Sequence, residues 1–319
     1  MIQNIKYTIK GERMRPLRSL LFVPGHRDTW VRKAINSGPD AVILDLEDSV
    51  PTALKSEARA TVVDSIARLR EEAPHVGVYV RVNPMESGIT GHDVAAVTVD
   101  GLDGLVLAKP SGPRDVIHLE ALIDHFERVN GRSRPDTEIV VALETAEAYA
   151  TCADLAVASR RVATLFAGTA RDGDLARSIG YEFTVEGLES VYLRSKAILA
   201  ARAAGLAHPL IGTWQDLEDT AGARLFAEQN RQLGFRGQVL IHPSHVALAN
   251  EVYSPSPEQV RFYREMVDAF ELAEARGDSA IRFQGMHIDY AHVETARTVL
   301  SYAEQLQAAP HAQADAHER

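Results

Sequence analysis

The stretch Glu138–Thr145, EIVVALET, runs through apolar residues and stops at a carboxylate, Glu144. An unbroken apolar run of this length suits a strand buried on both faces. A carboxylate at its end is costly to desolvate unless a cation or a donor meets it. Glu144 is therefore either a member of a structural ion pair or a ligand for a metal or a substrate. Other apolar runs end in the same way. Asp45, Glu47 and Asp48 follow AVIL, Arg81 and Asn83 close VGVYVRVN, and Lys109 closes GLVLAK. Arg171, Asp172 and Asp174 follow RVATLFA, and His242 follows QVLI. Each of these alone reads as a solvated charge at a loop. Gathered on one rim they mean more, because crowded carboxylates repel unless a cation sits among them.

The residue types narrow that chemistry. Carboxylates with open coordination positions suit Mg²⁺ better than zinc. Cys152 stands alone, and the 12 His show no HxxxH or HExxH spacing. Lys109 could form a Schiff base with a carbonyl substrate, but a rim lysine paired with a nearby acid is the plainer reading. Ser19, Ser111 and Ser244 lack a GxSxG setting, which argues against a serine-triad hydrolase.

Strand and helix must alternate to bring these residues together. Strands are expected over 17–23, 41–46, 76–82, 104–108, 138–144, 161–167, 209–213 and 238–241. Helices are expected over 26–37, 55–72, 91–100, 116–129, 145–158, 184–204 (with Thr184 as N-cap), 216–233 and 245–253. Eight such units imply right-handed βαβ connections and a parallel sheet. A closed (β/α)8 TIM barrel fits better than an open sheet, since GxGxxG is absent after the first strand and GxxxxGK[ST] is absent throughout. All strand C-termini then open on one face, where barrel active sites sit. After Pro255-Ser256-Pro257 come an amphipathic helix over 258–276, an irregular stretch over 277–290 and a last helix over 292–305. The expected division is an N-terminal extension (1–16), the catalytic barrel (17–254), C-terminal helices and lid (255–307) and a disordered tail (308–319).

Composition excludes other classes. A net charge of −10 over 319 residues and a pI near 5.7 disfavour a nucleic-acid or anionic-membrane surface. One Cys excludes an intrachain disulfide. No apolar run approaches the ~20 residues of a membrane span. The N-terminus MIQNIKYTIKGERMRP has no signal-peptide core, so a cytoplasmic protein is expected.

The motifs RSLLFVPG (18–25), AVILDLEDSV (41–50), VRVNP (80–84), GLDGLVLAKP (101–110), ALETAEAY (142–149), DLARSIG (174–180), LAARAAG (199–205) and VLIHPSHVALANEVYSPS (239–256), in this order, resemble the citrate lyase β-subunit-like family. This family lies in the HpcH/HpaI aldolase superfamily, with malyl-CoA and citramalyl-CoA lyases as relatives. The resemblance implies Mg²⁺ at the barrel rim and assembly as homotrimers or homohexamers. It places the metal ligands on Glu144 and Asp174, with Asp172 a rival because GTARDGDL lengthens the family's GxxDL. It places substrate binding on Arg81, Phe22, Thr29, Lys33, Ile241 and His242; Thr29 departs from the Lys of some relatives. Glu47 and Asp48 match acids that hold metal-bound water. Residues 282–289, RFQGMHID, resemble a lid whose terminal acid reaches a neighbouring subunit's site, which gives Asp289 the acid–base role and Arg81 the charge-stabilising one. The activity implied is retro-Claisen cleavage of a β-hydroxyacyl-CoA thioester, of malyl-CoA or citramalyl-CoA type, to acetyl-CoA and a 2-oxoacid. Alternatives are a malyl-CoA-type thioesterase, aldol cleavage of a free 2-oxoacid, and a β-like subunit working with an acyl-carrier partner.

Overall fold

The structure is a computed structural model describing residues 15–132 and 136–308. Residues 1–14 of the expected extension and 309–319 of the expected tail lie outside the described residues. The chain divides into two compact units, Met1–Glu251 and Val252–Arg319.

In the first unit the order is β1 (Ser19–Pro24), α1 (Asp28–Asn36), β2 (Ala41–Asp45), α2 (Lys55–Glu72), β3 (Gly77–Val82), α3 (Thr90–Val97), β4 (Gly104–Leu107) and α4 (Pro113–Val129). It continues with β5 (Glu138–Leu143), α5 (Ala146–Ala150), α6 (Cys152–Val157), β6 (Val162–Ala167), α7 (Asp174–Ile179), α8 (Leu188–Ala203), β7 (Leu210–Ile211), α9 (Thr220–Leu233), β8 (Gly237–Leu240) and α10 (Val246–Val252). The eight strands are parallel and close into a barrel, β8 pairing back onto β1. The (β/α)8 architecture expected from the sequence is the one observed.

Strand side chains alternate between the two faces, and that parity positions the site. Ile43, Tyr79, Val140, Ala142, Phe166 and Val239 fill the barrel interior. Asp45, Arg81 and Glu144 share the parity of Ile43, Tyr79 and Ala142, so they top the same inward-facing columns. Register does the rest: Asp45 pairs with Arg81 across β2 and β3. Two glycines make room at this end. A Cβ on Gly25 would lie 2.5 Å from the Asp45 carbonyl oxygen, and one on Gly168 would lie 2.8 Å from Cγ of Glu144.

Several local expectations are corrected. The helix expected over 145–158 is two short ones, because Thr151 leaves helical geometry (φ −106°, ψ 15°) and its hydroxyl donates to the Glu147 carbonyl oxygen at 2.9 Å. No helix was expected where α7 forms. The α8 helix starts at Leu188 rather than at an N-cap on Thr184, because Gly187 sits at φ +66°. The Thr184 hydroxyl instead receives the Gly187 N–H and donates to Glu189. The seventh strand shrinks to two residues.

In the second unit, α11 (Pro257–Glu274) begins with a full capping box, Ser256 and Gln259 satisfying each other's backbone N–H groups. The stretch expected to be irregular is a hairpin, β9 (Ala280–Phe283) and β10 (Met286–Asp289), followed by α12 (Tyr290–Ala308). Gln284 and Gly285 both have positive φ (45° and 85°), which a two-residue turn matched to strand twist requires. Ile288 anchors the hairpin on Met266, Phe270, Val293 and Ala296. The alternation that signals it covers only Ile281, Phe283 and Ile288, too little to read as strands.

Candidate active site

The C-terminal rim of the barrel holds a cavity of about 290 Å³ lined by Phe22, Trp30, Asp45, Arg81, Glu144, Asp174, Thr213 and Ile241, among others. Arg81 dominates its electrostatics. Its Nε and Nη2 donate to the two oxygens of Asp45 at 2.6 and 2.8 Å, a bidentate fork that fixes the guanidinium plane. Nη1 then faces Glu47 at 3.1 Å and Glu144 at 3.9 Å, and the Phe22 ring lies 4.6 Å beneath the guanidinium carbon. Burial works against ionised Asp45, but the Arg81 charge outweighs it and holds the carboxyl below its ordinary range.

Lys109 is the second cation. Its Nζ lies 2.6 Å from Glu47, 2.7 Å from Asp48 and 3.1 Å from Asp174. Its backbone is left-handed, at φ +46°, a conformation that costs a non-glycine residue roughly 1–3 kcal/mol and that functional sites tend to retain. Burial pulls the ammonium down, and the three carboxylates more than offset it. A lysine held protonated in this way is a poor amine nucleophile, which disfavours the Schiff-base reading. Burial raises Glu47 above its usual range, whereas the contact with Lys109 keeps Asp48 below its own despite partial burial.

Glu144 is different. Its side chain is 13% exposed, and its Oε2 is buried with no hydrogen-bond partner among the described residues. Burial lifts its pKa to about 7, against the pull of Arg81 and with repulsion from Glu47 and Asp174. Asp174 begins α7 and also lines the cavity, one oxygen toward Lys109 and the other paired with Arg177. Asp172 is exposed, at φ +53°. Among the described residues no three His, Cys, Asp or Glu side chains converge as a ready-made cage. The donor set still fits a hard cation. Glu144 has an unsatisfied buried oxygen, Asp174 lines the same cavity, and a Mg²⁺ ion commonly takes one or two carboxylates and fills the rest of its shell with water and substrate oxygens.

Other expected site residues are placed as follows. Phe22 and Ile241 line the cavity. Thr29 and Lys33 are exposed on α1, and from that helix it is Trp30 that lines the cavity. His242 is exposed; its Nδ1 lies 2.8 Å from the Ser244 hydroxyl and receives the Ser244 N–H, so the ring caps the turn that follows β8. Asp289 lies in the second unit, where its Oδ1 is 2.6 Å from Nδ1 of His292, a contact that holds the carboxyl below its ordinary range. Two contributors were not singled out in the sequence as a pair. Lys55 donates to the Leu46 and Glu47 carbonyl oxygens and to Asn83, locking the loop after β2 against the end of β3. Its acceptors are two backbone carbonyls and an amide oxygen, which leave no charge pattern in the sequence.

Residues 18–243 match the sequence pattern of HpcH/HpaI aldolase/citrate lyase. The chain belongs to that family. It is thus an enzyme of a carbon–carbon lyase family, in agreement with the resemblance of its motifs. An L-malyl-CoA/beta-methylmalyl-CoA lyase of Cereibacter sphaeroides is 32% identical over 314 residues, covering 92% of this chain and 96% of the relative. A (3S)-malyl-CoA thioesterase of the same species is 32% identical over 293 residues, with the same coverages. Among solved structures, protein CitE of Mycobacterium tuberculosis in complex with magnesium, acetoacetate and coenzyme A aligns with a TM-score of 0.69 at 25% identity, over 92% of this chain and 99% of that one. Among the described residues no helix is long and apolar enough to cross a membrane.

Proposed function

We propose that this enzyme cleaves or forms the C–C bond of a β-hydroxyacyl-CoA thioester of malyl-CoA or citramalyl-CoA type, with Mg²⁺ held by Glu144 and Asp174. The observation that carries the reading is the buried, unpartnered oxygen of Glu144 in a cavity shared with Asp174 and Arg81. The magnesium and coenzyme A of the CitE complex support it.

In the cleavage direction the hydroxyl loses its proton and the bond between the α- and β-carbons breaks. The electron pair passes to the thioester as an enolate, and the α-carbon then takes up a proton. When bound, Mg²⁺ supplies Lewis-acid polarisation of the oxygens of the 2-oxoacid half. Glu144 and Asp174 would orient that cation. Arg81, already aligned by Asp45, would offer positive charge to the developing enolate, an oxyanion-type contribution of roughly 3–4 kcal/mol. Glu47 and Asp48, pinned by Lys109, would hold water for the cation. Asp289, from the lid of a neighbouring subunit, would exchange the proton at the α-carbon, a general acid–base step contributing ~10²–10⁴-fold. This requires a homotrimer or homohexamer. Apolar side chains left open on α8, with Leu188, Tyr192 and Leu199 at 76, 71 and 70% exposure, fit a chain that associates. Light scattering coupled to gel filtration checks it, and a monomer with full activity would sink the shared-site reading.

The activity test is one assay of purified protein with malyl-CoA and citramalyl-CoA, with Mg²⁺ or EDTA, scoring acetyl-CoA, free CoA and 2-oxoacid separately. Metal-dependent acetyl-CoA with matching glyoxylate or pyruvate is expected. A thioesterase is the second reading, because that relative matches as well as the lyase does; free CoA without 2-oxoacid would establish it.

A further inference from the structure

Lys109 does more at the rim than balance one acid. A lysine ammonium has three N–H donors, and each is taken here by a different carboxylate, Glu47, Asp48 and Asp174, at 2.6, 2.7 and 3.1 Å. The ammonium is met by carboxylates from separate elements: the loop after β2 and the start of α7. The left-handed backbone at Lys109 (φ +46°) is maintained while the side chain reaches that position. Five carboxylates, Asp45, Glu47, Asp48, Glu144 and Asp174, meet Arg81 and Lys109 in this network, with Arg177 on the outer oxygen of Asp174. Arg81 is committed to Asp45 by its fork, so Lys109 is the only described cation that meets Glu47, Asp48 and Asp174 together.

We propose that Lys109 is a tethered second cation that keeps this site mononuclear. Two-metal sites hold their ions about 3.5–4 Å apart, and the second position here would be the one among Glu47, Asp48 and Asp174. The Lys109 ammonium fills that second position. It thereby confines divalent binding to the Glu144 side and holds Glu47 and Asp48 where they would position water. Lys109 is in this sense a positioning residue. The inference rests on the metal reading above, and its test separates the two.

The experiment titrates Mn²⁺ into the EDTA-stripped, full-length protein and follows free and bound Mn²⁺ by electron paramagnetic resonance. The wild type is expected to bind one ion per chain, with an uncoupled spectrum. Lys109→Gly suits the left-handed backbone and is expected to bind two, with the spin-coupled spectrum of neighbouring ions. Lys109→Asn, also tolerant of that conformation, serves as the second neutral variant should the glycine chain not fold by circular dichroism. Lys109→Arg restores a tethered charge and is expected to return to one. One ion in every variant would overturn the inference and leave the metal reading standing, and two in the wild type would overturn it as well. No binding by the wild type would overturn the metal reading and this inference with it.

Discussion

Glu138 and Glu144 sit at opposite ends of β5, six residues apart and so on the same inward-facing column. Burial lifts both to about 7. Glu138, at the bottom of the barrel, receives the Tyr79 hydroxyl at 2.7 Å. Around it the Arg70–Asp103 pair, at 2.7 Å, is complete. Glu144, at the top, meets Arg81 only at 3.9 Å, and its second oxygen has no partner among the described residues. The same residue type on the same strand thus has two fates. Burial and pKa do not tell them apart; accounting for each oxygen's partner does. A buried polar group left open costs roughly 1–3 kcal/mol, and at Glu144 that cost falls at the rim, where a ligand can bind.

The sharpest way to break this contrast is to make the same change at both ends. Glu144→Gln keeps size but removes the charge, and kcat/KM should fall on the order of 10³-fold or more, about 4 kcal/mol of lost cation-dependent stabilisation. Mg²⁺ binding by calorimetry should vanish while the melting temperature shifts little, since no native hydrogen bond is lost. Glu138→Gln should leave kcat/KM within a factor of about two. Comparable losses at both positions would mean that the partner accounting has misassigned the site.

Arg81 tests the top end from the other side. Deleting it would strand buried Asp45, with a structural penalty of roughly 3–5 kcal/mol, so Arg81→Lys is the cleaner change. A lysine keeps the charge but cannot fork onto Asp45 while facing Glu144. A loss of ~10²–10³-fold in kcat is expected, with KM changed less; full activity would show that charge alone suffices. Asp289→Ala should cost ~10²-fold in kcat with metal affinity unchanged. An unaltered rate of exchange at the thioester α-carbon, followed by deuterium incorporation, would remove Asp289 from the mechanism.

The barrel was legible because its signal is redundant: eight apolar runs, six of them ending in polar residues. Glu144 and Arg81 were legible for the same reason, as charges at strand ends. The Asp45–Arg81 fork was not, because it depends on the register between β2 and β3, and register is a property of the closed sheet. Lys109 was readable as a rim lysine near acids. Its grip on three carboxylates depends on a left-handed residue that Lys rarely adopts, and on α7, which is six residues long and too short to leave a periodic pattern. Asp174, and not its rival Asp172, begins that same helix. Hairpin β9–β10 was missed because half its residues face outward and its turn, Gln-Gly, is a weaker signal than Asn-Gly.

The smallest effect expected is in stability, and it isolates the lower glutamate. Glu138 has a folded pKa of about 7 against an ordinary 4.5. The folded chain therefore holds its proton over a range in which the unfolded chain has released it. Stability falls as pH rises from 4.5 to 7, and below 4.5 the group contributes nothing. At full size the loss is roughly 3 kcal/mol, opposed by the Tyr79 hydrogen bond and by Arg15 and reinforced by Asp103 and Asp136. Glu138→Gln keeps an acceptor for Tyr79 and cannot ionise. Urea midpoints for both proteins at pH 5 and pH 8 should show the wild type losing more than the variant over that interval. Equal losses would mean that Glu138 stays ionised in the folded barrel, and the two ends of β5 would then differ in protonation as well as in partners.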